Sequence, residues 1–195
     1  MGCLRASLFL AKIEVKMSYI CQECHETKYG CCNFTGEPNS IEIGISIPEA
    51  IIIQKATKLS ISDFLERDTI NPLLVDSIAR SIHPNFKQIF YKNIRYKLKT
   101  VDNKCIFLTD QGCQLPRNIR PHYCNLYPFW LMPDEDRLQV LINPDCLAQT
   151  RALNIVELLK LFGINRNDII NEFYALQDKL KEHLAFIDSG KDIIQ

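Results

Sequence analysis

Cys105-Ile106-Phe107-Leu108-Thr109-Asp110-Gln111-Gly112-Cys113-Gln114-Leu115-Pro116-Arg117-Asn118-Ile119-Arg120-Pro121-His122-Tyr123-Cys124-Asn125-Leu126-Tyr127-Pro128-Phe129 is the stretch on which the fold turns. It packs three cysteines into a short region, and more lie outward from it on both sides. Toward the N-terminus stand Cys21-Gln22-Glu23-Cys24 and, after a polar segment with a glycine, the pair Cys31-Cys32; toward the C-terminus stands Asn143-Pro144-Asp145-Cys146. Of nine cysteines, setting aside Cys3 leaves eight: Cys21, Cys24, Cys31, Cys32, Cys105, Cys113, Cys124 and Cys146. Two cysteines separated by two residues reach one metal together, because the turn between them points both sulfurs to one side. Cys21 and Cys24 have that spacing. Adjacent Cys31 and Cys32 point in different directions, so they serve two metals, or one ligates while the other packs. Eight thiolates suffice for two four-cysteine centres. The eight are therefore the predicted metal ligands, with their grouping left open.

The same even number of cysteines also invites a disulfide framework. A secretory signal would be needed to put the chain in an oxidising compartment, and the apolar stretch Leu8-Phe9-Leu10-Ala11 is shorter than the core of such a signal. Thiols kept reduced in the cytoplasm, able to bind metal, are the expectation. The formal net charge is zero, from 23 Lys and Arg against 23 Asp and Glu, so no long-range field draws nucleic acid or anionic lipid. Apolar residues at 47% and charged residues at 24% match a globular domain and exclude a disordered chain. No apolar run approaches the roughly 18 residues of a membrane span. A length of 195 residues allows one domain with a hydrophobic core of its own, so metal need not carry the whole fold.

Around the cysteines the elements are short. Ile41, Ile43, Ile45 and Ile47 alternate with polar or small residues as a strand does, and Pro48 then opens a helix running to about Leu59. Ser60 to Arg67 reads as a short helical turn. Asn71-Pro72 starts another helix that stops near His83-Pro84. Ile94, Tyr96 and Leu98 alternate with charged residues, and the turn chemistry of Val101-Asp102-Asn103-Lys104 predicts a hairpin with Cys105-Ile106-Phe107-Leu108. A second hairpin pairs part of Phe129–Met132 with Arg137–Ile142.

After Cys146 the pattern changes. Asn154 caps a helix ending at Gly163, and Asn165 or Asn167 caps a longer one whose Ile169, Ile170, Phe173, Leu176, Leu180, Leu184 and Ile187 form one stripe. Packing over the rest of the chain is its expected use, and a homodimer or protein-partner seam is the alternative. Residues 1–17 read as an N-terminal extension, 18–150 as the cysteine-cluster domain and 151–195 as a helical segment packed on it.

With its C-x-x-C and double cysteine at 21–32, then C-x-F-L, a turn, a further cysteine and R-P-x-x-C-x-x-x-P at 105–128, the chain resembles the YkgJ family of cysteine-cluster proteins over roughly residues 18–150. The resemblance implies a domain that chelates zinc or iron. A relative with a similar cluster, the flagellin lysine N-methylase, implies iron–sulfur chemistry with S-adenosylmethionine as one activity; a structural zinc module for interaction is the other alternative. Two departures stand out: six residues separate Cys24 from Cys31 where the family commonly has about three, and Asn125 stands where an arginine often follows the cysteine. Cys146 matches the family's late cysteine only loosely.

Arg120 is a candidate cation beside a thiolate-rich cluster or for a substrate carboxylate, although arginines in such turns more commonly cap carbonyls. His122 is the stronger alternative ligand of the pair His25 and His122. Tyr123, Tyr127, Phe129 and Trp130 are expected to pack as core and to shield the site from water. No glycine-rich phosphate loop, serine nucleophile motif or metalloprotease helix is present. The expected fold is α+β and mainly helical: a metal-stabilised cysteine-cluster domain with short β-hairpins and C-terminal amphipathic helices.

Overall fold

The structure, a computed structural model, describes residues 20, 23–24, 32, 44–73, 75–76, 93–132, 137–143, 145–190 and 193. Its first described helix, α1 (Ile47–Thr57), begins with a capping box: the Ser46 N–H donates to Glu49 Oε2 at 2.8 Å and the Ser46 hydroxyl binds the same oxygen. Pro48 sits in the first turn, where its missing N–H costs nothing. Lys58, at a left-handed φ of 62°, ends the helix. Ile45 and Ile47 are both buried as their alternation requires, but Ile47 already belongs to the helix, and Gly44 contributes a single bridge to Lys97. The predicted positions Ile41 and Ile43 lie outside the described residues.

A short helix, α2 (Ile61–Phe64), runs directly into β1 (Leu65–Thr69), which pairs antiparallel with β2 (Ile94–Leu98). This corrects the expected partner of Ile94–Leu98. The register sets Glu66 opposite Lys97 and Asp68 opposite Arg95, so the alternating charges of one strand meet opposite charges on the other. The turn at Asp102 and Asn103, both with positive φ, closes a smaller hairpin of β3 (Thr100–Val101) and β4 (Lys104–Cys105). A further one follows, β5 (Leu108–Thr109) with β6 (Gly112–Cys113). Of the helix expected from Asn71-Pro72, Pro72, Leu73, Val75 and Asp76 are helical, with Asn71 Oδ1 accepting from the Leu73 N–H at 2.9 Å; residues 77–92 lie outside the described residues.

The hairpin of β7 (Phe129–Met132) with β8 (Arg137–Val140) forms as expected, preceded by a single turn, α3 (His122–Leu126). Then come α4 (Leu147–Arg151), α5 (Ile155–Phe162) and α6 (Arg166–Asp188). Asn154 caps α5 and Asn165 caps α6, and Gly163 closes α5 with a φ of 65°. The fold is thus α+β.

Among the described residues two apolar clusters make the core. One gathers Tyr123, Leu126, Phe129, Trp130 and Leu131 with Ile169, Phe173, Leu176 and Leu180 of α6. The other gathers Ile45, Ile47, Ile53, Phe64, Tyr96, Leu98, Cys105 and Phe107, with Phe186 and Ile187 of α6 packed on it. The apolar stripe of α6 is therefore spent inside the chain. At the seam, buried His183 accepts the Ile47 N–H on Nδ1 at 3.1 Å and meets the Tyr96 ring edge-on at 5.9 Å. Among the described residues no helix is long and apolar enough to cross a membrane.

Candidate metal centre

Cys105 closes β4 opposite Thr100 and is 6% exposed. Its N–H donates to the carbonyl of Cys32 at 2.9 Å, which ties the early cysteine segment to the middle one through the main chain. Cys113 closes β6 opposite Leu108. Cys32, Cys105 and Cys113 all pack on the same apolar cluster. Cys32 and Cys105, distant in the chain, thus meet through the main chain, and Cys113 packs on the same apolar cluster.

Of the other described cysteines, Cys146 packs on the cluster around Trp130. Ile20 is buried in it, and Glu23, beside Cys24, pairs with Arg151 at the end of α4, with one nitrogen at 2.7 Å. Cys146 is the N-cap of that same helix and packs on the cluster. Cys124, half-buried on α3, follows Tyr123, whose phenol is pushed above its ordinary range by burial and by the nearby Tyr127 and Cys124. Cys24, Cys32, Cys105, Cys113, Cys124 and Cys146 carry thiols. Cys21, Cys31, His25 and His83 lie outside the described residues. Among the described residues, no three His, Cys, Asp or Glu side chains form a group able to hold a metal ion.

Arg120, the candidate cation of the R-P step, is held by the main chain. Arg120 donates from Nε to the Leu115 carbonyl at 2.7 Å, the carbonyl-capping role, but its Nη2 is buried with no hydrogen-bond partner among the described residues. A buried cationic N–H without an acceptor is costly. Of the aromatic run, Tyr123, Phe129 and Trp130 pack as core, with Trp130 edge-on to Phe173 at 5.1 Å, while Tyr127 is partly exposed and accepts from Asn143 Nδ2 at 2.7 Å.

His122 sits in a polar network of its own. Nδ1 lies 2.7 Å from Glu172 Oε1, and its main-chain N–H donates to Glu49 Oε1 at 2.7 Å. Burial works against protonation of this imidazole, but the Glu172 hydrogen bond and the Glu49 and Glu172 charges outweigh it and raise its pKa. Burial likewise opposes ionisation of Glu172, yet the bonds from His122 and Asn125 hold its carboxyl below the usual range. Asn125 donates to both Glu172 and the Arg117 carbonyl, each at 2.8 Å. At this position the chain uses an amide to fasten its own backbone. Sequence reasoning missed Glu49 and Glu172; Glu49 carried a signal, the Ser46-x-x-Glu49 capping box at the start of α1, while Glu172 belongs to no motif.

Compared with known protein families, with curated proteins and with solved structures, the chain matches none.

Proposed function

We propose that the chain is a cytoplasmic metal-binding protein of the YkgJ type, in which Cys21, Cys24, Cys31, Cys32, Cys105, Cys113, Cys124 and Cys146 hold zinc or iron. One observation carries the reading: the Cys105 N–H on the Cys32 carbonyl, with Cys113 on the same apolar cluster. At Cys32 and Cys105 two segments far apart in sequence meet, and a packing role for sulfur alone does not call for eight cysteines. Nη2 of Arg120, buried with no hydrogen-bond partner among the described residues, adds support from charge. A centre of the predicted kind takes in Cys21 or Cys31 in addition to the described thiols. Bound there, zinc in a closed four-thiolate site would tie segments together, and an iron–sulfur cluster would supply electron transfer or radical chemistry.

Anaerobic purification followed by an absorption spectrum and by metal and sulfide analysis tests this. Brown protein with iron and sulfide supports the redox class, including a methylase-like enzyme using S-adenosylmethionine. Colourless protein with stoichiometric zinc supports a structural module. Protein that takes up neither metal, reduced and intact, sinks the proposal.

A further inference from the structure

Successive main-chain groups along a hairpin strand face its partner and the outside by turns. In the β3–β4 hairpin the Ile106 N–H returns to the Lys99 carbonyl at 3.0 Å, so the Cys105 N–H, one residue earlier, points away from β3. There it donates to the Cys32 carbonyl at 2.9 Å. A main-chain bond of this kind sets two Cα atoms about 5.5 Å apart, inside the roughly 4.4–6.8 Å that a disulfide spans. The two side chains also share a destination: Cys105 is buried in the apolar cluster that holds Phe64 and Phe107, and Cys32, half-buried, packs on the same cluster. Both carry thiols. Their exposure sets an order of reaction, because solvent reaches Cys32 while Cys105 is only 6% exposed.

We propose that Cys32 and Cys105 are a reversible redox pair, joined as a disulfide by hydrogen peroxide. The Cys32 thiolate attacks the peroxide, the O–O bond breaks, and Cys32 becomes a sulfenic acid while the departing hydroxide takes up the thiol's proton as water. The Cys105 thiolate then attacks the Cys32 sulfur; the S–S bond forms, the S–O bond breaks, and a second hydroxide leaves and is protonated by the proton of Cys105. Two thiols thus give two electrons and two protons to one peroxide, which ends as two waters. The product ties the segment before α1 to the hairpin and closes a loop of about 70 residues. A dithiol returns it to the two thiols, as befits a bond formed transiently in a reducing compartment. Nothing in this chemistry calls for a metal, so it stands apart from the metal-binding reading.

The test treats the reduced full chain with one equivalent of hydrogen peroxide, blocks the remaining thiols with iodoacetamide and locates the linked sulfurs by tandem mass spectrometry. Cys32 joined to Cys105 should be the predominant cross-link, and non-reducing electrophoresis should show a faster band that dithiothreitol abolishes. In Cys105→Ser, dimedone should trap Cys32 as its sulfenic acid severalfold more than in the wild type, because the resolving sulfur is gone. Cys32→Ser should lose the faster band. Circular dichroism establishes that the variants fold, and the wild-type cross-link map decides by itself if either does not. Peroxide that leaves Cys32 and Cys105 open to alkylation overturns the proposal. So does a map that links either sulfur mainly to another cysteine, Cys113 on the same cluster included. Equal dimedone trapping in the wild type and Cys105→Ser denies Cys105 its resolving role and overturns it as well.

Discussion

His183 accepts the Ile47 N–H on Nδ1, so that nitrogen carries no proton and the ring is neutral, with its proton on Nε2. Nε2 is itself buried without a partner among the described residues, and burial pushes the imidazole pKa down to about 4. In the unfolded chain histidine titrates near ~6.5. Between the two values the unfolded chain binds a proton that the folded chain refuses, so stability is complete above the unfolded pKa and declines with acid until the folded pKa is passed. The loss is roughly 3 kcal/mol across that window. His183→Gln keeps an acceptor for Ile47 but does not titrate. Urea denaturation of both proteins at pH 7 and pH 4.5, followed by the fluorescence of the single tryptophan, should show the wild type losing more stability on acidification than the variant. Equal losses would refute this account of His183. Nothing in the sequence singled out this residue: a histidine within an amphipathic helix has the same appearance whether it faces water or a neighbouring helix.

The elements that were legible in the sequence carry their own signals. α5 and α6 were readable because Asn154 and Asn165 announce their starts and apolar residues recur at helical spacing. Asn154 Oδ1 accepts from the Val156 and Glu157 N–H groups, each at 3.0 Å, so Asn154→Ala should cost about 1 kcal/mol of unfolding free energy. Thermal denaturation checks it, with Asn154→Asp expected to stay close to wild type. β1 was not legible, since Leu65-Glu66-Arg67-Asp68-Thr69 lacks the apolar alternation that marks a strand and is recruited by charge across the ladder. Asp68 shows this: burial opposes its ionisation, but Arg95, with Nε at 3.0 Å, and Lys97 hold its carboxyl below the usual range. Its stabilising effect is therefore present above the unfolded carboxyl pKa and lost as pH falls through the lower folded one. With the carboxyl a third exposed, solvent screening limits the Asp68–Arg95 coupling in a double-mutant cycle to about 0.5–1 kcal/mol, shrinking in high salt. A coupling that ignored salt would contradict this. α3 and α4 escaped notice because five residues are too few for a periodic pattern, and only tertiary contacts fix them. The cysteine sites divide the same way: residue type was readable, but the meeting of Cys32 with Cys105 depends on the path of the intervening chain.

At the scale of the whole molecule, α6 decides whether the two apolar clusters are one cooperative unit. Its first half places Ile169, Phe173, Leu176 and Leu180 in the cluster around Trp130, and its second half lays Phe186 and Ile187 on the cluster that holds Cys105. His183 clamps it to the start of α1 between them. A rigid helix shared by two cores transmits the loss of either one to the other, because releasing one half exposes apolar area and strands the Ile47 N–H. Phe173 is 2% exposed and edge-on to Trp130, so Phe173→Ala should cost about 3–5 kcal/mol. The informative outcome is how that loss is distributed. Tryptophan fluorescence reports the cluster around Phe173, whereas hydrogen exchange at amides of α1 and β2 reports the other cluster. If α6 couples them, the variant shifts the fluorescence midpoint and accelerates exchange in α1 and β2 by equivalent free energies, as two-state unfolding demands. Fluorescence that falls early while protection in α1 and β2 stays at the wild-type level would mean that the clusters unfold separately and that α6 merely lies across them.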